Sequence, residues 1–265
     1  MTKTELLNHL AIDGEERLLL ARAHDQLETT RSRSIPAHTP FLSPEQQAAV
    51  SRLIAASGHP RNVLFGGYAG AERAVCVFLP DWMEDDAVFT GDACPVSALR
   101  AVFPAGSGLN HRDFLGALMG LGVTRESLGD ILVTDGCCDL LLLRDLEPFL
   151  LTYLESAGRT RLKLSPIDLN ALSVPEPSTT LLRDTVATLR LDAVVASAFS
   201  LPRSRAAELI TSGRVRLNHR ECGKPDRSVN QGDRFSCRGF GACVLKEVLG
   251  QSKKGRIIIV LERFQ

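Results

Sequence analysis

Two prolines in the run Val174-Pro-Glu-Pro-Ser178 constrain this chain more than any other feature of its sequence. Each fixes its own φ and removes a backbone donor, and each pushes the residue before it to extended geometry, so neither a helix nor an inner strand can run through. The segment reads as a linker between separately folded bodies. A length of 265 residues agrees, since at about 100–200 residues per domain it allows two domains or three small ones. Charge divides at the same place. Residues 179–265 hold 16 Lys and Arg against 8 Asp and Glu, and residues 1–178 hold 15 against 23, so zero net charge conceals a basic end and an acidic remainder. A basic module is the electrostatic footprint of a nucleic-acid binder; the plain alternative is an ordinary solvated surface.

With 44% hydrophobic and 23% charged residues, neither a disordered chain nor a coiled rod fits. The seven cysteines are odd in number and never spaced C-x-x-C, and the six histidines show no ligand spacing. A disulfide framework and a zinc ribbon are therefore disfavoured, a reducing compartment is expected, and no metal or cofactor is called for. Asn8, His9, Asp13, Glu15 and Glu16 interrupt the apolar positions of the N-terminus, and nowhere do about 18 apolar residues run together. A cytoplasmic protein without membrane contact is the expectation.

Three regions follow from the texture. In residues 1–60, Leu6, Leu7 and Leu10, then Leu18, Leu19 and Ala23, recur with helical spacing before the breaker-rich stretch Ser32–Pro44. Ser43-Pro44-Glu45-Gln46 has the cap, first-turn proline and third-position Gln of a helix start, and Gly58-His59-Pro60 supplies the stop. Residues 61–178 alternate short β-like runs (Val63–Phe65, Ala74–Leu79, Ala87–Thr90, Ile131–Thr134, Leu140–Leu143) with helices opening at Asn110 and spanning Pro148–Ser156. That order predicts an α+β sandwich. In residues 179–265, Leu191, Val194, Val195 and Ala198 mark one short helix and Ala206, Leu209 and Ile210 a second that ends at Gly213. The runs at Val215–Leu217, Phe235–Arg238, Cys243–Val248 and Ile257–Leu261 complete a small sheet, an αα-β module.

Cations concentrate in that module. Arg203 and Arg205, with Ser204 between them, occupy the first turn of the second helix; Arg214 and Arg216 follow its end; Arg190 and Lys224 lie on neighbouring segments. A helix start offers free N–H groups to phosphate, and side-chain cations there add fixed charge. Its only aromatics are phenylalanines, so backbone and shape recognition should outweigh base stacking.

Arg190-Leu-Asp-Ala-Val-Val, Arg203-Ser-Arg-Ala-Ala-Glu-Leu-Ile, Gly213-Arg-Val-Arg-Leu-Asn218, Lys224-Pro225 and Gly232-Asp233 together resemble the RNA-binding domain named for ribosomal protein S-four. The resemblance makes Asn218 the turn residue between strands and adds Lys253, Lys254 and Arg256, with the strand after them, to the module and its RNA surface. Leu64-Phe-Gly-Gly-Tyr-Ala-Gly-Ala-Glu-Arg73, His111-Arg-Asp-Phe-Leu-Gly-Ala-Leu-Met-Gly-Leu-Gly122 and Gly129-Asp-Ile-Leu132 narrow it further: from about residue 40 onward the chain resembles the YlmH family. That resemblance implies a central domain similar to an RNA-recognition fold. It also implies binding to rRNA of stalled large ribosomal subunits carrying peptidyl-tRNA, beside further factors of ribosome-associated quality control, with no catalysis.

Apparent catalytic signatures are weaker. His111-Arg-Asp113 imitates a kinase catalytic loop, but Leu118 stands where a metal-binding Asn is required. Gly250-Gln-Ser-Lys-Lys-Gly255-Arg-Ile has phosphate-loop glycines without the Lys and Ser/Thr. Gly66-Gly-Tyr-Ala-Gly70 reads as a hairpin loop. Arg190-Leu-Asp192 resembles the catalytic triplet of pseudouridine synthases but lies inside the binding module, so Asp192 reads as structural. An RNA-modifying enzyme of that kind, with its own targeting domain, is the rival reading.

Overall fold

The computed structural model describes all residues except 1, 90, 92–93, 176–178, 253 and 265, so Glu176–Ser178 of the expected linker and Lys253 of the expected RNA surface lie outside the described residues. The chain forms two compact units, Met1–Pro175 and Glu176–Gln265.

Strands buried on both faces organise the first unit. It opens with α1 (Lys3–Leu10), α2 (Gly14–Arg33), β1 (Ala37–His38) and α3 (Pro44–Ala56), followed by β2 (Asn62–Phe65) and β3 (Val75–Phe78). The Ser43 cap forms as expected: Ser43 Oγ accepts from the Gln46 N–H and Gln46 Oε1 from the Ser43 N–H, at 3.3 and 2.8 Å. Next come β4 (Val96–Val102), α4 (His111–Gly120), β5 (Leu128–Thr134), β6 (Cys137–Leu143), α5 (Glu147–Tyr153), the hairpin β7 (Ser156–Ala157) and β8 (Thr160–Arg161), and β9 (Lys163–Ile167). One antiparallel sheet has the order β1-β3-β2, the other β5-β6-β4-β9.

Side-chain alternation distributes these strands among three cores. Cys76 and Phe78 of β3 join the core of α1–α3. Val75 and Val77, on its other face, meet Val96, Ala98, Leu132 and Leu141 of the second sheet. Leu99, Ala101, Leu140 and Leu142 point the opposite way and pack with Phe114 and Leu118 of α4 and Leu150 of α5. The layers run helices, sheet, sheet, helices, which explains apolar runs without polar alternation such as Val-Cys-Val-Phe.

Residues 96–167 carry the β-α-β-β-α-β order of the split βαβ motif, with the first strand central. The α+β expectation holds, with two corrections. Ala87–Phe89 is not a strand, and Thr90 of that expected run lies outside the described residues: Asp85–Val88 form a 3-10 turn, and the strand before α4 is β4, whose small residues Ser97, Ala98 and Ala101 hide its period. The second helix ends at Tyr153 rather than Ser156, because Ser156 and Ala157 pair with Arg161 and Thr160 around Gly158, which has φ +55°.

The second unit comprises β10 (Thr179–Val186), α6 (Leu191–Ala198), α7 (Arg203–Thr211), β11 (Val215–Leu217), β12 (Arg220–Glu221), β13 (Arg234–Cys237), β14 (Gly241–Gln251) and β15 (Ile257–Phe264). Its six strands form one antiparallel sheet ordered β10-β15-β14-β13-β11-β12. Leu191, Val194 and Val195 of α6 and Leu209 and Ile210 of α7 close its core against Phe235, Leu245 and Ile259.

Candidate nucleic-acid interface

The expected RNA surface is built around a carboxylate. Asp192, 5% exposed in the first turn of α6, accepts from Arg190 Nε and Nη2 at 3.2 and 3.1 Å and from Arg203 Nε and Nη2 at 3.1 Å each. Two planar guanidinium forks, one before α6 and one opening α7, are thus fixed on a single anion with an excess of one positive charge. Burial alone would raise the Asp192 carboxyl; the hydrogen bonds from Arg190 and Arg203 outweigh it and hold the carboxyl below its ordinary value. The α6 start is already satisfied, since the N–H groups of Leu191 and Asp192 donate to the carbonyls of Arg227 and Pro225. At α7 the intrahelical ladder begins with Ala206 N–H to Pro202 O, and Pro202 supplies no side-chain cap, so Arg203, Ser204 and Arg205 present their N–H groups ahead of it.

The remaining expected residues divide. The Lys224 carbonyl accepts from Arg227 N–H, which places Lys224 on the segment that caps α6. Arg205 pairs with Glu208 at 2.8 Å, and both Arg205 and Arg214 act electrostatically on Cys237, whose thiol is raised by burial and pulled partly back by Arg214 and Arg205. Arg216 is exposed on β11, with Glu221 and Ser236 as its register partners. Asn218, at φ +49°, donates to Asp233 Oδ1 and accepts from Arg234 N–H, so its amide locks a turn. Arg256 donates to Thr185 Oγ1 and to the Thr185 carbonyl, clamping the end of β10; with exposed Lys254 it lies at the far end of the β14–β15 hairpin, three strands across from β11 and seven residues along from Arg263, the residue level with Leu217, and so roughly 25 Å away at ordinary strand geometry. Two exposed cations missed in the sequence join the surface: Arg227, and Arg238, whose N–H donates to the Arg214 carbonyl. Arg227 follows Lys224-Pro-Asp in a turn, and that position was the signal available for it.

In the first unit, motifs far apart in sequence converge on Asp130. Its carboxylate accepts from Tyr68 Oη at 2.9 Å and from the N–H groups of Glu72 and Arg73 at 2.7 and 3.1 Å. The Arg73 guanidinium donates to the carbonyls of Leu128, Phe41 and Arg125, and Arg125 to those of Leu128 and Gly129. Burial and the Arg125 charge bring Arg73 down to about 10, and burial followed by Arg125 lowers His111. The glycine-rich loop thus closes on a carboxylate of its own chain. Asp113 is likewise engaged, accepting from Asn110 N–H in a capping box at the start of α4. Among the described residues no group of three His, Cys, Asp or Glu side chains could hold a metal ion, and no helix is long and apolar enough to cross a membrane.

A six-stranded sheet carrying two short helices with clustered arginines, in a chain that also holds a split-βαβ unit, defines a class of RNA-binding proteins. Comparison with known proteins agrees: residues 189–235 match the S4 domain, and residues 106–171 match the family described as "Putative RNA-binding domain in YlmH". A Bacillus subtilis relative, "Ribosome-associated protein quality control protein P2", is 32% identical over 226 residues, covering 85% of this chain and 86% of the relative. The chain belongs to the YlmH family. A solved structure, "Cell division protein ylmH from Streptococcus pneumoniae", shares the fold at 18% identity, with a TM-score of 0.52 over 62% of this chain and 98% of that one.

Proposed function

We propose that this protein binds rRNA of the large ribosomal subunit together with peptidyl-tRNA on stalled subunits, as a non-enzymatic factor in ribosome-associated quality control. The observation that carries the reading is the pair of guanidinium forks set on Asp192, one before α6 and one opening α7, in a module with eight excess positive charges. Arg190, Arg203, Ser204, Arg205, Arg214 and Lys224 supply the phosphate contacts, with Arg227 and Arg238 beside them. Arg216, Lys253, Lys254 and Arg256 extend the surface, and Asn218 shapes its turn. The printed name of the Bacillus subtilis relative supports the ribosomal setting. Gradient fractionation of tagged protein, with stalling induced, tests it. The wild type should travel with large subunits, and Arg203→Ala should lower that fraction far more than Arg17→Ala beside the acidic first turn of α2, by about tenfold for one charge-assisted contact. Recovery only in ribosome-free fractions would overturn the ribosomal reading.

A further inference from the structure

The first unit carries a rigid aromatic platform that the basic module lacks. Trp82, the chain's only tryptophan, is 67% exposed, and its indole is fixed: Nε1 donates to the Ser34 carbonyl at 2.8 Å, where Ser34 ends α2 in left-handed conformation. The turn that carries it is fixed too. Arg61 donates to the carbonyls of Pro80, Asp81 and Met83 and to the Asp85 carboxylate, stapling residues 80–85 from within. Trp82 forms one wall of a cleft of about 410 Å³ floored by Leu27 and Thr30 and flanked by Pro60 and Pro80. The Thr30 hydroxyl is on a residue only 5% exposed, and it donates to the Phe78 carbonyl at 3.5 Å, the outer limit of a hydrogen bond.

We propose that this cleft takes one unstacked nucleobase of the bound RNA, laid on the Trp82 ring; this rests on the RNA-binding reading above. Three observations favour a base. In an RNA-recognition fold, bases stack on the sheet face opposite the helices. Here that face is closed, because Val96, Ala98, Leu132 and Leu141 pack on Val75 and Val77 of β3. The module contributes no Trp or Tyr. Finally, the cleft's two guanidinia are already engaged, Arg31 with Glu28 and the Ser57 carbonyl and Arg61 as above, so the site suits a flat neutral ring better than an anion. A platform held before binding loses little freedom on stacking, and stacking tolerates any base.

Because no other tryptophan contributes, indole emission reports this cleft alone. Full-length protein titrated with adenosine monophosphate and with a five-residue adenosine oligoribonucleotide should show saturable quenching that is nearly independent of salt, since a ring contact releases no counterions. A labelled copy of the oligomer should bind Trp82→Ala about fivefold or more weakly, and Trp82→Phe should recover part of the loss. Arg203→Ala should keep the quenching. Absence of saturable quenching by either probe, or unchanged oligomer binding by Trp82→Ala, overturns the cleft while leaving salt-dependent binding through the module intact. Intact quenching without any Arg203 sensitivity on ribosomal RNA would instead overturn the module reading. If Trp82→Ala lowers ribosome recovery yet neither nucleotide probe quenches, the platform meets protein and the proposal fails.

Discussion

Asp192 joins two arginines from different elements, and removing it has consequences for both stability and charge. Its carboxylate is buried while both guanidinia are about half exposed, so water can replace much of what they lose. Asp192→Ala should therefore cost about 1–2 kcal/mol of folding stability in urea unfolding, at the low end for charged hydrogen bonds. The pH dependence follows from the lowered native carboxyl. The unfolded chain binds a proton there more readily than the native one, so stability falls as pH falls. The advantage of wild type over Asp192→Asn is complete above the ordinary carboxylate pKa of about 4 and should shrink as pH drops through the lower native value. An advantage unchanged at about pH 2.5 would show that the two ion pairs do not carry it.

At the scale of elements, β10 shows what pairing alone can hold. All eight of its residues pair with β15, from Thr179–Phe264 to Val186–Ile257, yet Leu181 is 59% exposed and the strand is an edge. Removing it would leave one edge of Ile257-Ile-Ile-Val-Leu261 unpaired, with only β14 on the other side, an apolar edge of the kind that recruits other chains. The module cut to residues 188–265 should therefore melt lower and scatter more light on warming than residues 179–265; equal behaviour would mean that β15 is protected otherwise. Nothing in Thr-Thr-Leu-Leu-Arg-Asp-Thr-Val alternates, so β10 was not legible in the sequence, and neither were β1, two residues long, and β4. Their signals are partners far along the chain. The starts of α3 and α4 were legible because Ser43 with Gln46 and Asn110 with Asp113 complete their hydrogen bonds within one turn. The same contrast applies to the interface. Arg203 and Arg205 stand out by local pattern, whereas the hold of Asp192 on Arg203 spans 11 residues and exists only once α6 and α7 pack.

On the scale of the whole molecule, excess positive charge is confined to residues 179–265, and this separates two contributions to binding. Within the module, Arg190 and Arg203 share Asp192 and contribute one net charge, and Arg205 is offset by Glu208. With Arg214, Lys224, Arg227 and Arg238, about five phosphates can be neutralised, which corresponds to a log–log salt slope of about −3.5 on single strands and −4.5 on duplex RNA. Residues 1–178, with 15 basic and 23 acidic side chains, cannot add to that slope by a general electrostatic attraction. A second, charge-poor contact from the first unit would instead raise affinity by effective concentration, by the same factor at every salt concentration. Anisotropy titrations of the whole chain and of residues 179–265 against the same structured RNA should therefore give parallel lines, with the whole chain displaced to tighter binding. A steeper line for the whole chain would mean that the acidic unit also contacts phosphate. Coincident lines would confine RNA binding to the module, because a linked contact of any strength must displace one line from the other.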